Sequence, residues 1–185
     1  MYFSWGNLFG HAEGSGYDFS QAVYDATPAA AITTNLSLSQ DAARANLGAP
    51  YRMPTAADFQ ELYDNCTSVW TTLNGVNGRL FTSNVNGNTL FFPAAGGYNG
   101  TNLSSYGLYG NYWSSSIYST SRARFLSFGS SYVGFQGYDD RRLGFSVRAV
   151  AGPALLTRSV ISPMDSNLEK AKSDISETMI DDESR

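Results

Sequence analysis

Three segments decide the fold of this chain: LYGNYWSSS (residues 108–116), ARFLSF (123–128) and RRLGFSVRAV (141–150). Side chains of an extended strand alternate between its two faces, so Leu126 and Phe128 share one face while Phe125 lies on the other. The residues from 145 to 150 alternate in the same way. We therefore predict that ARFLSF and residues 145–150 pair as strands, with residues 129–143 between them as a hairpin or an exposed excursion.

The clearest helix signal follows the sequence RMPT at residues 52–55. Pro54 stops any helix upstream, and the side chain of Thr55 can accept a hydrogen bond from an amide of the first turn. Asp58 follows three residues later, where a carboxylate favours the N-terminal end of the helix dipole. One face of this helix is predicted to be core because its apolar residues recur at helical spacing: Phe59, Leu62, Tyr63 and Cys66.

Beyond this helix the pattern changes to short strands and turns. The triplet VNG occurs at residues 76–78 and again at 85–87, and Asn-Gly is the strongest short signal for a hairpin. These two turns are predicted to frame the strands RLFTS and NTLFFP. A helix-containing first half followed by a glycine-rich β half predicts an α+β domain.

Composition divides the 185 residues into a body and a tail. Residues 1–152 contain no lysine and all 26 aromatic side chains, whereas both lysines lie in residues 153–185. The body has 9 acidic and 8 basic side chains and the tail has 7 and 4, so the tail carries most of the net charge of −4. A nearly neutral body lacks the basic face that nucleic-acid binding requires, and no nucleic-acid partner is expected. We predict one ligand-binding domain at 1–152 and an acidic tail at 153–185 that is disordered or becomes helical on binding a partner.

The reactive side chains give no support to a cofactor or a metal. The only cysteine, Cys66, excludes an internal disulfide and the paired-cysteine zinc sites. The only histidine, His11, has no cysteine near it and no carboxylate at ligand spacing, which is typical of a hydrogen-bonding loop residue. No apolar run approaches the roughly 20 residues of a membrane helix, and no signal peptide is visible. We expect no cofactor, no metal and no membrane insertion.

Five motifs follow one another along the body: YFSWG (residues 2–6), RMPT with its helix (52–66), FFPAAG (91–96), GNYWSSS (110–116) and GFSVRAV (144–150). Over residues 2–150 the chain resembles the Fibrobacter succinogenes major paralogous domain family, and its second half is similar to the variable proteins of diversity-generating retroelements. The resemblance implies a C-type lectin-like α+β fold, with two helices packed on a twisted antiparallel sheet and long glycine-rich loops. Members usually have a further strand before YFSWG and end soon after VRAV, so the role of the tail is not implied.

In the retroelement-diversified relatives, fixed framework positions alternate with positions that differ between copies. The resemblance implies a framework that includes Gly110, Tyr112, Trp113, Ser114, Ser115, Ala123, Leu126, Phe128, Val133, Gly144, Val147 and Arg148. It also implies that thirteen residues are displayed to a ligand: Tyr106, Leu108, Tyr109, Tyr118, Arg122, Phe125, Ser127, Tyr132, Phe135, Tyr138, Asp139, Asp140 and Leu143.

The residue types of this display set support a binding role without the resemblance. Tyrosine gives a large contact area at low entropic cost, and serine, glycine and aspartate add adaptable polar contacts. Each aromatic could instead pack beneath a loop, but Tyr132, Phe135 and Tyr138 crowd around glycines without the alternation that would bury all three. We therefore predict a non-enzymatic domain that binds a protein or glycan receptor on a cell surface, at a phage tail-fibre tip or on a bacterial surface adhesin. Thirteen residues fall short of the roughly 20 to 30 per side of a standard interface, so display as a homo-oligomer is expected to add avidity.

Two other functions follow from the implied fold. Formylglycine-generating enzymes share it, but their oxidative chemistry uses a pair of active-site cysteines, which this chain lacks. Calcium-dependent sugar binding uses the triplets EPN, QPD or WND, and none of them occurs here. Asp139 and Asp140 could bind a cation, although Arg141 and Arg142 beside them neutralise the pair more simply. We expect neither function.

Overall fold

The structure, a computed structural model, describes residues 1–152, which belong to one compact unit. Within that range there are three short α-helices: α1 (Gln21–Asp25), α2 (Ala42–Leu47) and α3 (Ala56–Asn65). Two short 3₁₀ helices precede α2, at Pro28–Ala31 and Leu38–Gln40. The predicted tail at 153–185 lies outside the described residues.

The described chain has ten strands, eight of which lie from residue 76 onward. They are β1 (Tyr51–Arg52), β2 (Cys66–Leu73), β3 (Val76–Ser83), β4 (Thr89–Pro93), β5 (Gly97–Asn99), β6 (Asn102–Ser104), β7 (Gly110–Ile117), β8 (Arg122–Phe128), β9 (Val133–Asp140) and β10 (Val150–Ala151). β1 pairs with β10, β5 pairs with β6, and the two larger sheets have the orders β2-β3-β4 and β7-β8-β9. Every one of these pairings is antiparallel.

The sheet β7-β8-β9 separates two hydrophobic cores. On one face, Trp113 packs with Trp5 of the N-terminal segment and with Phe145. On the other face, the sheet packs against α3 and the sheet β2-β3-β4, and the buried residues there are Phe59, Phe81, Phe92, Tyr112, Leu126 and Phe128. The alternation predicted for β8 is confirmed, because Leu126 and Phe128 belong to this second core while Phe125 packs on the first.

Two buried tryptophans join the N-terminal segment to β7 by reciprocal hydrogen bonds. Nε1 of Trp5 donates to the carbonyl of Ser114 at 2.8 Å, and Nε1 of Trp113 donates to the carbonyl of Phe3 at 2.8 Å. Both indoles are completely buried, where an unpaired donor would cost about 1–3 kcal/mol. YFSWG and GNYWSSS, which are distant in sequence, are therefore parts of one core.

The predicted fold class is wrong. In place of two helices packed on a twisted sheet, the described chain has several small antiparallel sheets and three short helices, which makes it β-rich. α1 and α2 have 5 and 6 residues, less than two turns each, so neither is long enough to form a layer across a sheet. The α+β class was predicted from a helix-containing first half followed by a glycine-rich β half, and the layout of two helices on a sheet was implied by the resemblance. Motifs such as YFSWG and GNYWSSS mark core and strand positions, which do not specify helices.

The predicted pairing of residues 123–128 with 145–150 is also wrong. β8 pairs with β7 on one side and with β9 on the other, so the expected excursion itself supplies a partner strand. Residues 144–146 instead make single bridges, among them Phe145 with Phe3 and Ser146 with Tyr112. β9 has the sequence VGFQGYDD, and glycines inside a strand weaken the sequence pattern by which a strand is recognised.

The N-cap predicted for α3 is confirmed. Oγ1 of Thr55 accepts a hydrogen bond from the backbone N–H of Asp58 at 3.1 Å, and Oδ2 of Asp58 accepts one from the backbone N–H of Thr55 at 2.7 Å. The same carboxylate receives two hydrogen bonds from the guanidinium of Arg52, at 2.7 and 2.9 Å. This buried ion pair ties the start of α3 to β1.

The apolar face predicted for α3 is confirmed in part. Phe59 is buried in the core, and Leu62 packs at its margin. Tyr63 is exposed, although its ring lies against Phe135 of β9, with centroids 4.5 Å apart. The helix ends at Asn65, so Cys66 begins β2 and is not a residue of the helix.

One of the two predicted VNG turns is confirmed. Asn86 and Gly87 lie in the turn that joins β3 to β4. The first VNG lies inside β3, and the turn before it is formed by Asn74 and Gly75, whose φ angles are both positive at 51° and 80°. Gly78 is needed in β3 for a different reason, because a Cβ there would overlap the carbonyl of Phe92 on the adjacent strand.

Candidate ligand-binding surface

The thirteen predicted ligand-binding residues separate into two surface patches and four less accessible residues. The first, the aromatic–arginine patch, lies where β8 begins and β9 ends and consists of Tyr118, Arg122, Arg124, Tyr138 and Asp140. The second, the tyrosine loop patch, lies around the other end of β8 and consists of Tyr106, Leu108, Tyr109, Ser127 and Tyr132. Arg124 is the one member of either patch that the sequence did not indicate.

Two tyrosines stacked on each other form the centre of the aromatic–arginine patch. The ring centroids of Tyr118 and Tyr138 are 3.8 Å apart and the rings are nearly parallel, at 3°. The guanidinium carbon of Arg124 lies 5.2 Å from the centroid of Tyr118, and that of Arg122 lies 5.6 Å from the centroid of Tyr138. Despite this packing the two tyrosines are 45% and 44% exposed. Strand register explains the arrangement, because Arg124 is opposite Tyr138 and cross-strand neighbours on one face lie about 5 Å apart.

Charge in this patch is slightly positive. The carboxylate of Asp140 lies 3.6 Å from Nε of Arg122 and 3.6 Å from a terminal nitrogen of Arg142. Both pairs reach solvent, where an ion pair contributes at most about 1 kcal/mol. The guanidinium of Arg124 contacts the ring of Tyr118 and makes no ion pair or hydrogen bond within residues 1–152. Among these residues, no carboxylate therefore offsets the positive charge of Arg124.

The predicted neutralisation of the two aspartates by Arg141 is wrong: within residues 1–152 Arg141 pairs with neither aspartate, whereas Arg142 pairs with Asp140, as Arg122 also does. The guanidinium of Arg141 is buried and lies 4.7 Å from the ring centroid of Trp5. It donates to the hydroxyl of Tyr24 and to three backbone carbonyls, those of Ala29, Ile32 and Thr120. Burial raises the pKa of Tyr24 and the charge of Arg141 opposes that rise, so the phenol remains a neutral hydrogen-bonding group. Arg141 is a core residue.

The tyrosine loop patch is built on a tight turn before β7 and on the loop between β8 and β9. Tyr106 and Leu108 are exposed at the turn. The rings of Tyr109 and Tyr132 have centroids 6.1 Å apart. Gly129 lies beside both rings, since a Cβ there would be 2.8 Å from Tyr109 and 3.0 Å from Tyr132. A side chain at residue 129 would therefore disrupt this patch.

The two patches lie on opposite faces of β8. Alternation along the strand places Arg124 on the face of Leu126 and Ser127 on the other face. The hydroxyl of Ser127 is 3.0 Å from that of Tyr132 and donates to Oδ1 of Asn111 at 3.1 Å, which assigns the tyrosine loop patch to that second face. β8 has 7 residues, joined by six steps of about 3.4 Å, so its first and last residues are about 20 Å apart.

Two of the remaining predicted residues contribute to the core around Trp113. Leu143 is 8% exposed and belongs to that core, so it does not present its side chain to a ligand. Phe125 is half-buried, with its ring centroid 5.8 Å from that of Trp113 and 5.0 Å from that of Phe145. The backbone directs both side chains toward the core around Trp113, whereas the sequence predicted that they are displayed to a ligand.

The last two are Phe135 and Asp139, which are also half-buried. The ring of Phe135 packs against Tyr63 of α3. Oδ1 of Asp139 accepts a hydrogen bond from the backbone N–H of Asp140 at 2.8 Å. Both are residues of β9, and neither is an exposed member of the aromatic–arginine patch.

Sequence reasoning missed a cleft of about 560 Å³ between α3, β4 and residues 148–150. Its apolar lining includes Phe59, Leu62 and Phe92, and the guanidinium of Arg148 lies 5.8 Å from the ring centroid of Phe92. Cys66 also lines the cleft, and burial, with the charge of Glu61, raises the pKa of its thiol. The thiol is therefore protonated at neutral pH and a weak nucleophile. No sequence pattern marks the cleft because its walls come from separate segments.

Residues 1–152 contain neither a cluster of metal ligands nor a membrane-spanning helix. No three His, Cys, Asp or Glu side chains in that range lie close enough together to hold a metal ion. No helix in the same range is long and apolar enough to cross a membrane. The ring of His11 stacks on that of Tyr17 with centroids 3.5 Å apart, and burial lowers its pKa.

Comparison with known proteins finds one family that matches part of the chain. The sequence model of a domain of unknown function, DUF8237, matches residues 67–150. That segment, less than half of the chain, runs from the second residue of β2 to the first residue of β10 and contains both patches. No curated protein and no solved structure matches the chain.

Proposed function

We propose that this chain is a non-enzymatic binding module for a protein or glycan receptor on a cell surface, and that the aromatic–arginine patch is its principal contact. The observation that carries the proposal is the exposed stack of Tyr118 and Tyr138 flanked by Arg122 and Arg124. Tyrosine and arginine are among the residues that most often dominate the binding energy of protein interfaces. A phage tail-fibre tip or a bacterial surface adhesin is the carrier that we propose.

Preorganisation of the patch supports this function. The stacked rings restrict each other, and planar guanidinium groups lose less freedom than lysine side chains when they bind. The strand beneath is held by the hydroxyl of Ser114, which donates to the carbonyl of Arg124 at 2.8 Å. Leu126, two residues further along β8, is anchored in the core. Binding would therefore require little reordering of this surface.

The test is retention of the labelled full chain on two probes, a glycan array and a panel of intact bacterial cells. Amine-reactive dye will mark the tail lysines and the N-terminus, because residues 1–152 contain no lysine. We expect the double variant Tyr118→Ala/Tyr138→Ala to lose at least tenfold in retention. Its free energy of unfolding should stay within about 1.5 kcal/mol of the wild-type value, because an aromatic pair contributes about that much. The control Tyr106→Ala/Leu108→Ala removes two exposed side chains of the tyrosine loop patch and should retain binding.

Each result of this test has a defined meaning. Full retention by the Tyr118→Ala/Tyr138→Ala variant would remove the aromatic–arginine patch from the proposal. A wild-type chain held by neither probe would contradict receptor binding itself. Arg124→Gln should weaken retention on its own, since it removes the cation that contacts the ring of Tyr118 and keeps a similar side-chain length.

We also infer that the exposed positions differ between copies of this domain, as in retroelement-diversified proteins. Supporting this, framework residues such as Trp113 and Ala123 are completely buried, whereas Tyr106 and Tyr118 are exposed. Substitutions at such surface positions usually change stability by no more than about 0.5 kcal/mol. The genomic test is a near-copy of the coding segment for residues 106–150 beside a reverse transcriptase gene, differing mainly at adenines. A genome without that copy would contradict this part and leave the binding proposal standing.

A further inference from the structure

Strand β2 has an unprotected edge. It pairs with β3 along all 8 of its residues, and no other strand of the described chain pairs with its far side. Natural proteins usually protect such an edge with charged residues, proline, a bulge or a very short strand, because unpaired N–H and C=O groups recruit further strands. β2 has the sequence CTSVWTTL and a continuous register, so it has none of these protections.

The outward face of the sheet β2-β3-β4 carries no charged side chain. Register and alternation place Val69, Thr71 and Leu73 of β2 on this face, together with Val76, Leu80 and Phe91. Val69, Leu73 and Val76 are 55%, 47% and 42% exposed. The inward face is different, since it supplies Phe81 and Phe92 to the core. Exposed apolar side chains beside an open edge are typical of an interaction surface.

We propose that β2 pairs antiparallel with β2 of a second copy of this chain, so that two three-stranded sheets become one sheet of six strands across a two-fold axis. A strand that meets itself across such an axis places its apolar face beside the same apolar face of the other copy. Self-pairing also brings identical side chains close together, which destabilises any strand that carries charge. The uncharged sequence of β2 avoids that repulsion, and this is why a second copy fits the edge.

Hydrogen-bond geometry determines which residues of β2 can bond to the second copy. Only residues 74–75 connect β2 to β3, so the flanking residues Leu73 and Val76 form a hydrogen-bonded pair of the hairpin. Bonding alternates along an antiparallel ladder, and the N–H and C=O groups of Trp70 and Thr72 therefore point to the open edge.

An axis that passes through Thr71 satisfies this pattern. Trp70 of each copy then bonds to Thr72 of the other, and the two Thr71 side chains face each other on the outward surface. Val69 of one copy lies beside Leu73 of the other, so both exposed apolar residues of each β2 are partly covered. This contact is smaller than the about 1,600 Å² of a standard interface, and we expect an equilibrium between monomer and dimer.

Sedimentation of the full chain over a concentration series tests the proposal. We expect the wild type to shift from monomer to dimer as concentration rises. Thr71→Lys and Thr71→Glu each place two like charges at the axis, and each alone should weaken the dimer at least tenfold. An equimolar mixture of these two variants should dimerise again, because opposite charges then meet. Val85→Lys, at an exposed valine in the turn between β3 and β4, is the control and should leave the equilibrium unchanged.

Disulfide formation provides a second measurement of the register. In a Cys66→Ser background, Thr71→Cys should form a dimer linked through the axis on mild oxidation, since cysteines facing each other at this separation meet disulfide geometry. Thr89→Cys, an exposed residue at the opposite edge of the same sheet, is the matched control and should stay reduced.

Two outcomes would overturn the proposal. One is a wild-type chain that remains monomeric up to about 1 mM. At that concentration a dimer with a Kd of about 1 mM would contain half of the chains. The other is a dimer that neither Thr71→Lys nor Thr71→Glu weakens. Receptor binding is tested separately, because both patches lie outside β2, and the Tyr118→Ala/Tyr138→Ala variant should dimerise like the wild type.

Discussion

The guanidinium of Arg141 connects segments that are far apart in the chain. Its hydrogen bonds reach the carbonyls of Ala29, Ile32 and Thr120, and its plane lies near the ring of Trp5. A buried cation is tolerated only when its donors are paired and its charge is balanced. Carbonyl dipoles and aromatic faces provide that balance here. Arg141 thereby positions the chain where it leaves β9 for the core around Trp113.

Replacement of Arg141 by lysine should be strongly destabilising. Lysine has three donors in place of five and lacks the planar fork, so Arg141→Lys leaves buried carbonyls without partners. We expect the free energy of unfolding in urea to fall by about 2–4 kcal/mol. The neighbouring Arg142→Lys, at a partly exposed ion pair, should cost less than about 1 kcal/mol. Equal losses at the two positions would contradict this account.

Asp58 should give the chain a defined sensitivity to acid. Burial opposes its charge, but hydrogen bonds from Arg52 and Thr55 outweigh burial and hold the pKa of the carboxyl below its usual value. A group whose pKa is lower in the folded chain stabilises the fold above its unfolded pKa of about 3.9, and that stabilisation is lost as pH falls through the folded value.

The variant Asp58→Asn measures this contribution. It leaves the charge of Arg52 uncompensated, so we expect a loss of about 3 kcal/mol in the free energy of unfolding at pH 7. As pH falls through the folded pKa of Asp58, which lies below the usual value for a carboxyl, the wild-type side chain becomes protonated and the difference between the two proteins should shrink. Asp64→Asn, at an exposed position of the same helix, is the matched control and should change the free energy of unfolding at pH 7 by no more than about 0.5 kcal/mol. A difference that stays constant with pH would exclude the ion pair as its cause.

At the scale of single elements, two glycines of the β2–β3 hairpin have different roles. Gly75 has a positive φ of 80° and open space around it, so Gly75→Ala should cost about 1–2 kcal/mol through backbone strain. Gly75→Asn should cost less, because asparagine tolerates that conformation.

Gly78 lies against Phe92 and the ring of Phe91, so Gly78→Ala and Gly78→Asn should both cost about 3 kcal/mol, measured by thermal unfolding. If Gly78→Asn were more stable than Gly78→Ala, contact with Phe91 and Phe92 would not be the reason that residue 78 must be glycine.

Elements with local signals could be predicted from the sequence. The cap of α3, the alternation of β8 and the turn at residues 86–87 each depend on a few adjacent residues, and the structure confirms all three. β9 was missed because its glycines interrupt the pattern and its pairing with β8 depends on residues elsewhere. For the β2–β3 turn, the sequence TLNGVNG contains two Asn-Gly pairs, and only the approach of β4 to Gly78 decides between them.

The candidate surface was predictable in residue type and not in arrangement. Exposed tyrosines were expected in this segment, and Tyr106, Tyr118 and Tyr138 are exposed. Leu143 was assigned to the same surface, but the path of the chain after Arg141 directs it into the core. The division into two patches also escaped prediction, because it depends on which face of β8 each side chain takes.

At the scale of the whole molecule, the segment that matches DUF8237 does not contain all of its own core. Trp113 lies inside that segment, yet it bonds to Phe3 and packs with Trp5 outside it. We expect a fragment of residues 67–152 to bind hydrophobic dyes and to unfold without a cooperative transition, while residues 1–152 unfold cooperatively. Protected, native-like tryptophan fluorescence in the shorter fragment would contradict this dependence.

The position of the two patches on opposite faces of β8 affects how their specificities can be changed. Substitutions more than about 7–10 Å apart with no shared neighbours have additive energetic effects, and the ends of β8 are about 20 Å apart. One patch can therefore be grafted or selected in the laboratory without re-optimising the other. A rigid, flat partner can occupy only one face at a time, so a molecule that uses both patches holds two partners together as a bridge.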